Sequence, residues 1–104
     1  MDHIEAHKKI CDGIHSTYIH KNKAYGNSFH DTYKKLGIIS AVTRITDKYN
    51  RLVNLAVHPE IDQGDESIKD TLLDLANYCI MTYMEIDAGD SNEMFNENLV
   101  HELK

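Results

Sequence analysis

The chain has 104 residues, of which 41% are hydrophobic and 27% are charged, a composition typical of one globular domain with a modest core. No apolar run approaches the roughly 18 residues that a membrane span requires, and the first residues lack the basic and apolar segments of a signal peptide. The formal net charge of −6 argues against direct binding to duplex nucleic acid, which requires a basic surface. We therefore expect a cytoplasmic protein that does not bind membranes.

The charge is unevenly distributed along the chain. Residues 1–57 contain nine Lys or Arg and five acids, whereas residues 58–104 contain two Lys or Arg and twelve acids. The two parts therefore carry formal charges of +4 and −10. A basic patch that faces an acidic one suits a site for a nucleotide and a metal ion. Alternatively, the two parts simply attract each other across a helix interface.

The spacing of apolar residues predicts helices and no β-strands. The first helix is predicted over residues 3–20. The segment 21–29 is rich in Asn, Gly and Ser, which indicates a loop, and a short helical turn is expected over residues 30–36. A second helix is predicted over residues 37–57, where His58-Pro59 stops it.

A third main helix is predicted from about residue 66 to about residue 87, and the Ala, Gly, Asp, Ser and Asn of residues 88–92 are predicted to break it. The fold class is therefore all-α, a small bundle of three main helices plus short turns. We expect one domain over residues 1–90, and a C-terminal segment over residues 91–104 that forms an acidic tail or a short helix.

The predicted bundle has a small core, and two further expectations follow from it. Cys11 and Cys79 each fall on an apolar helical face, so we interpret them as reduced core residues. Apolar and aromatic side chains also occur on the flanks of the helices, so homo-oligomerisation is expected. These flanking residues are Ile39, Leu73, Tyr78, Ile80 and Met84.

A polar stripe on the third main helix is the strongest indication of a site. Asp70, Asp74 and Asn77 follow the spacing i, i+4, i+7, which places them on one face of a helix. Short acids hold fixed positions and favour metal binding or hydrogen bonding. The opposite face is apolar and is predicted to enter the core; it comprises Ile68, Leu72, Leu75, Ala76, Cys79, Tyr83 and Ile86.

The second main helix carries its own polar stripe, formed by Arg44, Asp47, Arg51 and Asn54. If the two helices are antiparallel neighbours, the stripes can face each other across a cleft, in which acids hold Mg²⁺ and arginines contact phosphate oxygens. The alternatives are an Asp47–Arg51 pair at i, i+4, or a purely structural polar network.

The segment 21–29 has the composition of a nucleotide-contacting loop. Tyr25 or Phe29 can stack on a base, Asn27 can hydrogen-bond to a base edge, and Lys21 can contact phosphate. The alternative is an aromatic-anchored loop in which Phe29 packs into the core. His30 follows this loop and is therefore the first histidine to test.

The segments 21–29, 44–55 and 66–78 resemble, in this order and spacing, the nucleotide-modification-associated domain family, type one, of bacteriophages and bacteria. The resemblance covers roughly residues 15–86. It implies a context of nucleotide or DNA-base modification more than one defined reaction.

The chain also resembles, more broadly, the all-α nucleoside triphosphate pyrophosphohydrolases of the MazG and dimeric dUTPase type. These enzymes hold Mg²⁺ with an E-x-x-E motif on one helix and an E-x-x-D motif on a later one. Here the earlier helix offers only Asp47, and the later one offers Glu66, Asp70 and Asp74 at spacings of four. The resemblance therefore implies magnesium binding without the complete set of acids.

The resemblance leads us to expect a phage-type nucleotide-handling protein that hydrolyses a nucleoside triphosphate to the monophosphate, with Mg²⁺ as cofactor. The first alternative is a non-catalytic protein that binds a nucleotide or a nucleotide signal, and the second is a small phage interaction protein. In the leading hypothesis, the catalytic residues are Asp70 and Asp74, the metal ligands are Asp47, Glu66, Asp70 and Asp74, and the nucleotide-binding residues are Lys21, Tyr25, Asn27, Arg44, Lys48, Arg51, Asn54 and Asn77.

Overall fold

The fold was obtained as a computed structural model, which describes residues 2–60 and 65–92 apart from the side chains of residues 65, 66 and 90–92. These residues contain no strand, and the all-α prediction is confirmed. The helices are α1 (His3–Tyr25), α2 (Ser28–Leu36), α3 (Ile38–Val57) and α4 (Asp65–Asn92).

Helix α1 is longer than its sequence pattern predicts. It begins after Asp2, whose carboxylate accepts a hydrogen bond of 2.7 Å from the backbone N–H of Glu5. It continues to Tyr25, so the prediction of a loop over residues 21–29 is wrong for the first five of them, and it is also wrong for Ser28 and Phe29, which begin α2. Lys and Ala are good helix formers, and the helix ends only at Gly26, whose φ of 65° is rarely adopted by residues with a side chain.

Helix α2 is a nine-residue helix where the sequence predicts a helical turn. Gly37 ends α2 and also precedes the first residue of α3, with a φ of 76°. The hydroxyl of Ser40 donates to the Gly37 carbonyl oxygen at 2.7 Å, which satisfies an acceptor at this corner. The chain therefore changes direction within one residue, and α2 packs against both α3 and α4.

Helices α3 and α4 form the most extensive contact of the fold. Helix α3 ends before His58-Pro59, as predicted.

Helix α4 continues through residues 88–92, so the predicted break there is wrong. Gly89 lies within the helix, and one glycine in a helix interior costs only about 1 kcal/mol. The predicted C-terminal tail or short helix begins inside α4, and its residues 93–104 lie outside the described part of the chain.

The core between α3 and α4 is small and partly polar. Ala41 and Leu55 of α3 are buried, with 0% and 5% of their surface exposed. Thr71 and Thr82 of α4 are buried as well. The Thr71 hydroxyl donates to the Ser67 carbonyl oxygen at 2.7 Å, and the Thr82 hydroxyl likewise donates to the carbonyl four residues earlier. These buried hydroxyls are therefore satisfied within their own helix.

The face that α4 turns toward the rest of the protein is only partly the predicted one. Cys79 and Tyr83 are exposed, as is Leu72, so the prediction that they enter the core is wrong. Cys11 of α1 is also an exposed free thiol, and the interpretation of both cysteines as core residues is wrong. Apolar residues occur on both sides of α4, so periodicity alone does not select the buried face. Four residues of the predicted apolar face are half-buried, namely Ile68, Leu75, Ala76 and Ile86.

Large apolar side chains remain exposed on this single chain. The predicted flanking residues Ile39, Leu73, Ile80 and Met84 are among them, whereas Tyr78 is half-buried. Homo-oligomerisation stays a prediction.

Among the described helices, none combines the length and the hydropathy that crossing a membrane demands.

Candidate functional site

A cavity of about 240 Å³ opens where all four helices approach one another. We call it the four-helix cavity. Its walls are the C-terminal half of α1, the turn at Gly26 and Asn27, the first half of α2, the first half of α3 and the segment of α4 from Asp74 to Glu85. The tight corners at Gly26 and Gly37 place α2 against this segment, because neither leaves room for a long loop.

Several residues that the sequence singles out meet in this cavity. They come from segments up to 56 residues apart, from Lys21 to Asn77, so their proximity depends on the tertiary fold. The predicted nucleotide-binding or catalytic residues that line it are Lys21, Tyr25, Asn27, Arg44, Asp74 and Asn77.

Two lysines from different helices converge on Asp74. The ammonium of Lys48 on α3 lies 3.2 Å from Asp74 Oδ2, and the ammonium of Lys21 on α1 lies 3.6 Å from Asp74 Oδ1. Arg44 lines the same cavity. These four side chains, which we call the cationic cluster, carry three positive charges and one negative charge. The cluster therefore attracts an anion.

Asn77 connects α4 to α1 beside this cluster. Its side-chain Nδ2 donates a hydrogen bond of 3.4 Å to the backbone carbonyl oxygen of Ile14. A side chain predicted to bind nucleotide therefore also positions the helix that carries Lys21.

Aromatic side chains form another part of the wall. The rings of Phe29 on α2 and Tyr78 on α4 lie 5.9 Å apart between centroids and are tilted by 37°. Tyr18 and Tyr25 of α1 line the cavity as well. Phe29 is half-buried and lines the cavity, so it is not fully packed into the core as the alternative interpretation expects. That it stacks on a base stays a prediction. Such rings offer flat apolar surfaces on which a base can stack.

The pair formed by His30 and Glu85 is the main feature that sequence reasoning missed. The Nδ1 of His30 lies 2.7 Å from Oε1 of Glu85, and both side chains line the cavity. His30 stood out in the sequence, but Glu85 did not. Met81 and Glu85 continue the stripe of Asp70, Asp74 and Asn77 at helical spacing, so an extension of that stripe toward the C-terminus would have found them.

The two predicted polar stripes do not face each other along their whole length. Arg44 is the member of the α3 stripe that lines the cavity. Arg51 instead donates from Nε to the Thr71 hydroxyl at 3.2 Å. Asp47 and Asn54 lie at exposed positions of α3 and line neither this cavity nor the depression described below.

The comparison with protein families decides where the chain belongs. A family model described as nucleotide modification associated domain 1 matches residues 21–86. The chain belongs to this family. The predicted resemblance is thereby confirmed, and it indicates a role in nucleotide modification. Comparisons with curated proteins and with solved structures found no match.

The matched part of this nucleotide modification associated domain contains the whole charged lining of the cavity. Lys21, Arg44 and Asp74 of the lining fall within it, and so do His30 and Glu85. Lys48, which pairs with Asp74 but does not itself line the cavity, falls within it as well. The broader likeness to MazG-type pyrophosphohydrolases stays a prediction.

The predicted magnesium ligands lie only partly within the described residues of this domain. Asp70 lies in a depression of about 330 Å³ beside the cavity, which it shares with Asp74 and Lys21. Within residues 2–60 and 65–92, no three His, Cys, Asp or Glu side chains lie close enough together to hold a metal ion. Both oxygens of Asp74 already face lysines. The predicted ligand Glu66 has a side chain outside the described part, and the magnesium cofactor stays a prediction.

Proposed function

We propose that the four-helix cavity binds a single nucleotide, with its phosphates at the cationic cluster and its base against the aromatic wall. The observation that carries this proposal is the convergence of Lys21 and Lys48 on Asp74, beside a cavity lined by tyrosine and phenylalanine rings. Membership in a nucleotide-modification family supports the same class of ligand.

The three cationic side chains of the cluster suit a phosphate better than they suit the carboxylate of Asp74. A phosphate carries more negative charge than Asp74 and offers three acceptor oxygens. Lys21 is more than half exposed, so its ammonium can move from Asp74 to a ligand at little cost. Arg44 adds a planar guanidinium that can bind two phosphate oxygens at once.

The size of the cavity favours a mononucleotide over an oligonucleotide. Its volume of about 240 Å³ lies just below the range of about 300–1,000 Å³ for pockets that hold drug-sized ligands. Stacking of one base on an aromatic side chain contributes about 1–3 kcal/mol. The net charge of −6 argues against a nucleic-acid strand as the ligand.

Titration calorimetry with nucleoside mono-, di- and triphosphates tests the proposal, each with Mg²⁺ and with a chelator. We expect saturable binding that weakens as the salt concentration rises. Lys21→Ala should lower the affinity about tenfold, since it removes a charged hydrogen bond to phosphate. Lys8→Ala is the matched control, because Lys8 lies on the same helix but pairs with Asp12 at 2.6 Å. The absence of binding by every nucleotide would overturn the proposal.

A second candidate function is hydrolysis of a bound nucleoside triphosphate to the monophosphate and pyrophosphate. One observation favours it: Asp70 and Asp74 share the depression next to the cavity. Asp70 has no hydrogen bond or ion pair with the described residues, which leaves its carboxylate able to accept a proton from water.

Release of pyrophosphate tests this second candidate. We expect release from at least one nucleoside triphosphate in the presence of Mg²⁺, lost in Asp70→Asn and retained in Asp31→Asn. If no triphosphate on a broad panel yields pyrophosphate at high protein concentration, the protein binds nucleotides without hydrolysing them.

A further inference from the structure

The two charged groups of the four-helix cavity lie at opposite ends of one helical segment. Asp74 and Glu85 are eleven positions apart on α4, which corresponds to about 16 Å along the helix axis. The cationic cluster includes Asp74, whereas His30 pairs with Glu85. Tyr78 lies between these positions on α4, and its ring packs against Phe29. The cavity is therefore positive at one end, aromatic in the middle and acidic at the other end.

The acidic end presents hydrogen-bond acceptors. Only 14% of the Glu85 side chain is exposed, so this side chain has lost most of its contact with bulk water. Its Oε1 faces His30 Nδ1 at 2.7 Å, and no donor among the described residues reaches its Oε2. An acceptor that is removed from water and left unpaired is unfavourable, and a ligand that supplies a donor removes this cost.

His30 adds a second acceptor beside the first. A carboxylate can only accept hydrogen bonds, so His30 donates its Nδ1 proton to Glu85. In the neutral imidazole the other ring nitrogen, Nε2, is then an acceptor. Both side chains line the cavity, so with a neutral imidazole a ligand at this end meets two neighbouring acceptors.

We propose that the His30–Glu85 pair selects a nucleobase with an exocyclic amino group, a 4-aminopyrimidine or a 6-aminopurine. This inference rests on the proposed nucleotide binding and adds the class of base. An amino group donates to a carboxylate, as in the pairing of Glu or Asp with the cytosine N4 amino group. A 4-oxo or 6-oxo group at the same place would set its lone pairs against those of Glu85, and the carboxylate would stay unpaired.

The alternative role of the pair is structural, since it also links α2 to α4. A structural link and a base-selecting pair differ in one measurable respect. Loss of the link lowers stability and weakens the binding of all nucleotides alike. Loss of selection changes the ratio of affinities between an amino base and its oxo counterpart.

The test uses two pairs of nucleotides that differ in this group and in the proton that the oxo base carries on the adjacent ring nitrogen, dCTP with dUTP and dATP with dITP. Titration calorimetry of the whole chain measures all four affinities at one salt concentration. We expect the amino member to bind at least tenfold more tightly in the pair that binds better. In Glu85→Gln, whose amide offers a donor as well as an acceptor, that ratio should fall below threefold. His30→Asn gives a second variant, on another helix, for which the ratio should also fall.

Titration with inorganic pyrophosphate keeps the outcomes separate, because it has no base and reports on the cationic cluster alone. Equal affinities for both members of each pair, a preference for the oxo member, or a ratio unchanged in both variants would overturn the inference. Each of these results leaves the proposed nucleotide binding intact. If neither pyrophosphate nor any nucleotide binds, the proposed function itself fails.

Discussion

Lys48 Nζ on α3 lies 3.2 Å from Asp74 Oδ2 on α4, and the second oxygen of the same carboxylate faces Lys21 on α1. One acid thus holds two cations from two other helices at the edge of the cavity. Asp74 occupies the place where, in our proposal, a phosphate group of the ligand would bind. The protein's own carboxylate and the ligand therefore compete for the same lysines.

Asp74→Asn tests this competition. The substitution keeps the shape of the side chain but removes one negative charge, so we expect inorganic pyrophosphate to bind more tightly. A charge about 5 Å from the ligand in a watery environment is worth about 1 kcal/mol, or about fivefold in affinity. Stability should change by less than about 1 kcal/mol, because the ion pairs of Asp74 are partly exposed.

Calorimetry at fixed ionic strength provides the measurement for Asp74→Asn, and Asp31→Asn on α2 controls for the change in net charge. Weaker binding in Asp74→Asn would contradict the competition. It would instead support a role for Asp74 as a ligand of a metal that carries the phosphate.

Arg51 and Arg44 should differ in what they do, although both lie in the α3 stripe. Arg51 donates to the hydroxyl of Thr71, which is only 2% exposed, so Arg51→Ala should lower stability by about 0.5–1.5 kcal/mol. Nucleotide affinity should not change. Arg44→Ala should do the reverse, with an affinity loss of about tenfold and little change in stability, because Arg44 lines the cavity from an exposed position.

Urea unfolding and calorimetry on both arginine variants give the two readouts. The same loss of affinity in Arg51→Ala and Arg44→Ala would show that the whole stripe contacts the ligand, as the sequence pattern predicts.

Substitution by alanine should lower the stability of the fold at Gly37 and raise it at Gly13. Gly37 has a φ of 76° and a ψ of −167°, a region that only glycine adopts readily, so Gly37→Ala should destabilise by about 1–3 kcal/mol. Gly13 lies inside α1, and a Cβ built there meets nothing within 4 Å. Gly13→Ala should therefore stabilise by about 0.5–1 kcal/mol.

Thermal unfolding of the two glycine variants measures the difference directly. A Cβ at Gly37 also meets nothing within 4 Å, so any loss there reports backbone strain alone. Equal melting temperatures for the two variants would mean that the corner between α2 and α3 is not fixed in this conformation.

Leu55 should be among the most sensitive positions in the chain. It is 5% exposed in a core with few buried side chains, so Leu55→Ala should cost about 2–5 kcal/mol. Asn50→Ala, at an exposed position of the same helix, should stay within about 0.5 kcal/mol. Urea unfolding measures both, and a loss below 1 kcal/mol for Leu55→Ala would mean that α3 and α4 are not packed as described.

The helices were predictable where the sequence contains a strong stop. His58-Pro59 ends α3 where predicted, because proline cannot follow a helical residue without strain. The end of α1 was misplaced, because the Asn, Gly and Ser of residues 21–29 suggest a loop although Lys21 to Tyr25 can continue the helix. The orientation of α4 was not predictable from periodicity, since only packing against α3 selects the side that carries Thr71 and Asp74.

Within the candidate site, the relationships between residues of one helix were predictable, whereas the contacts between helices were not. Asp74 and Asn77 lie on one helix, and their spacing alone places them together. The approach of Lys21 to Asp74 depends on how α1 crosses α4, which no local pattern specifies. The His30–Glu85 contact joins residues 55 positions apart, so it appears only when α2 is placed against α4.

Helix α1 is described throughout, and none of its residues is buried. It nevertheless supplies Lys21 and Tyr25 to the cavity, and the Ile14 carbonyl holds it to α4 through Asn77. Such a segment opens locally at a lower free energy than the helices that enclose the core. A ligand held between α1 and α4 opposes that opening, by about 2.7 kcal/mol at a concentration of one hundred times Kd. The wall that binds the ligand is thus the part of the fold whose protection from hydrogen exchange the ligand would raise most.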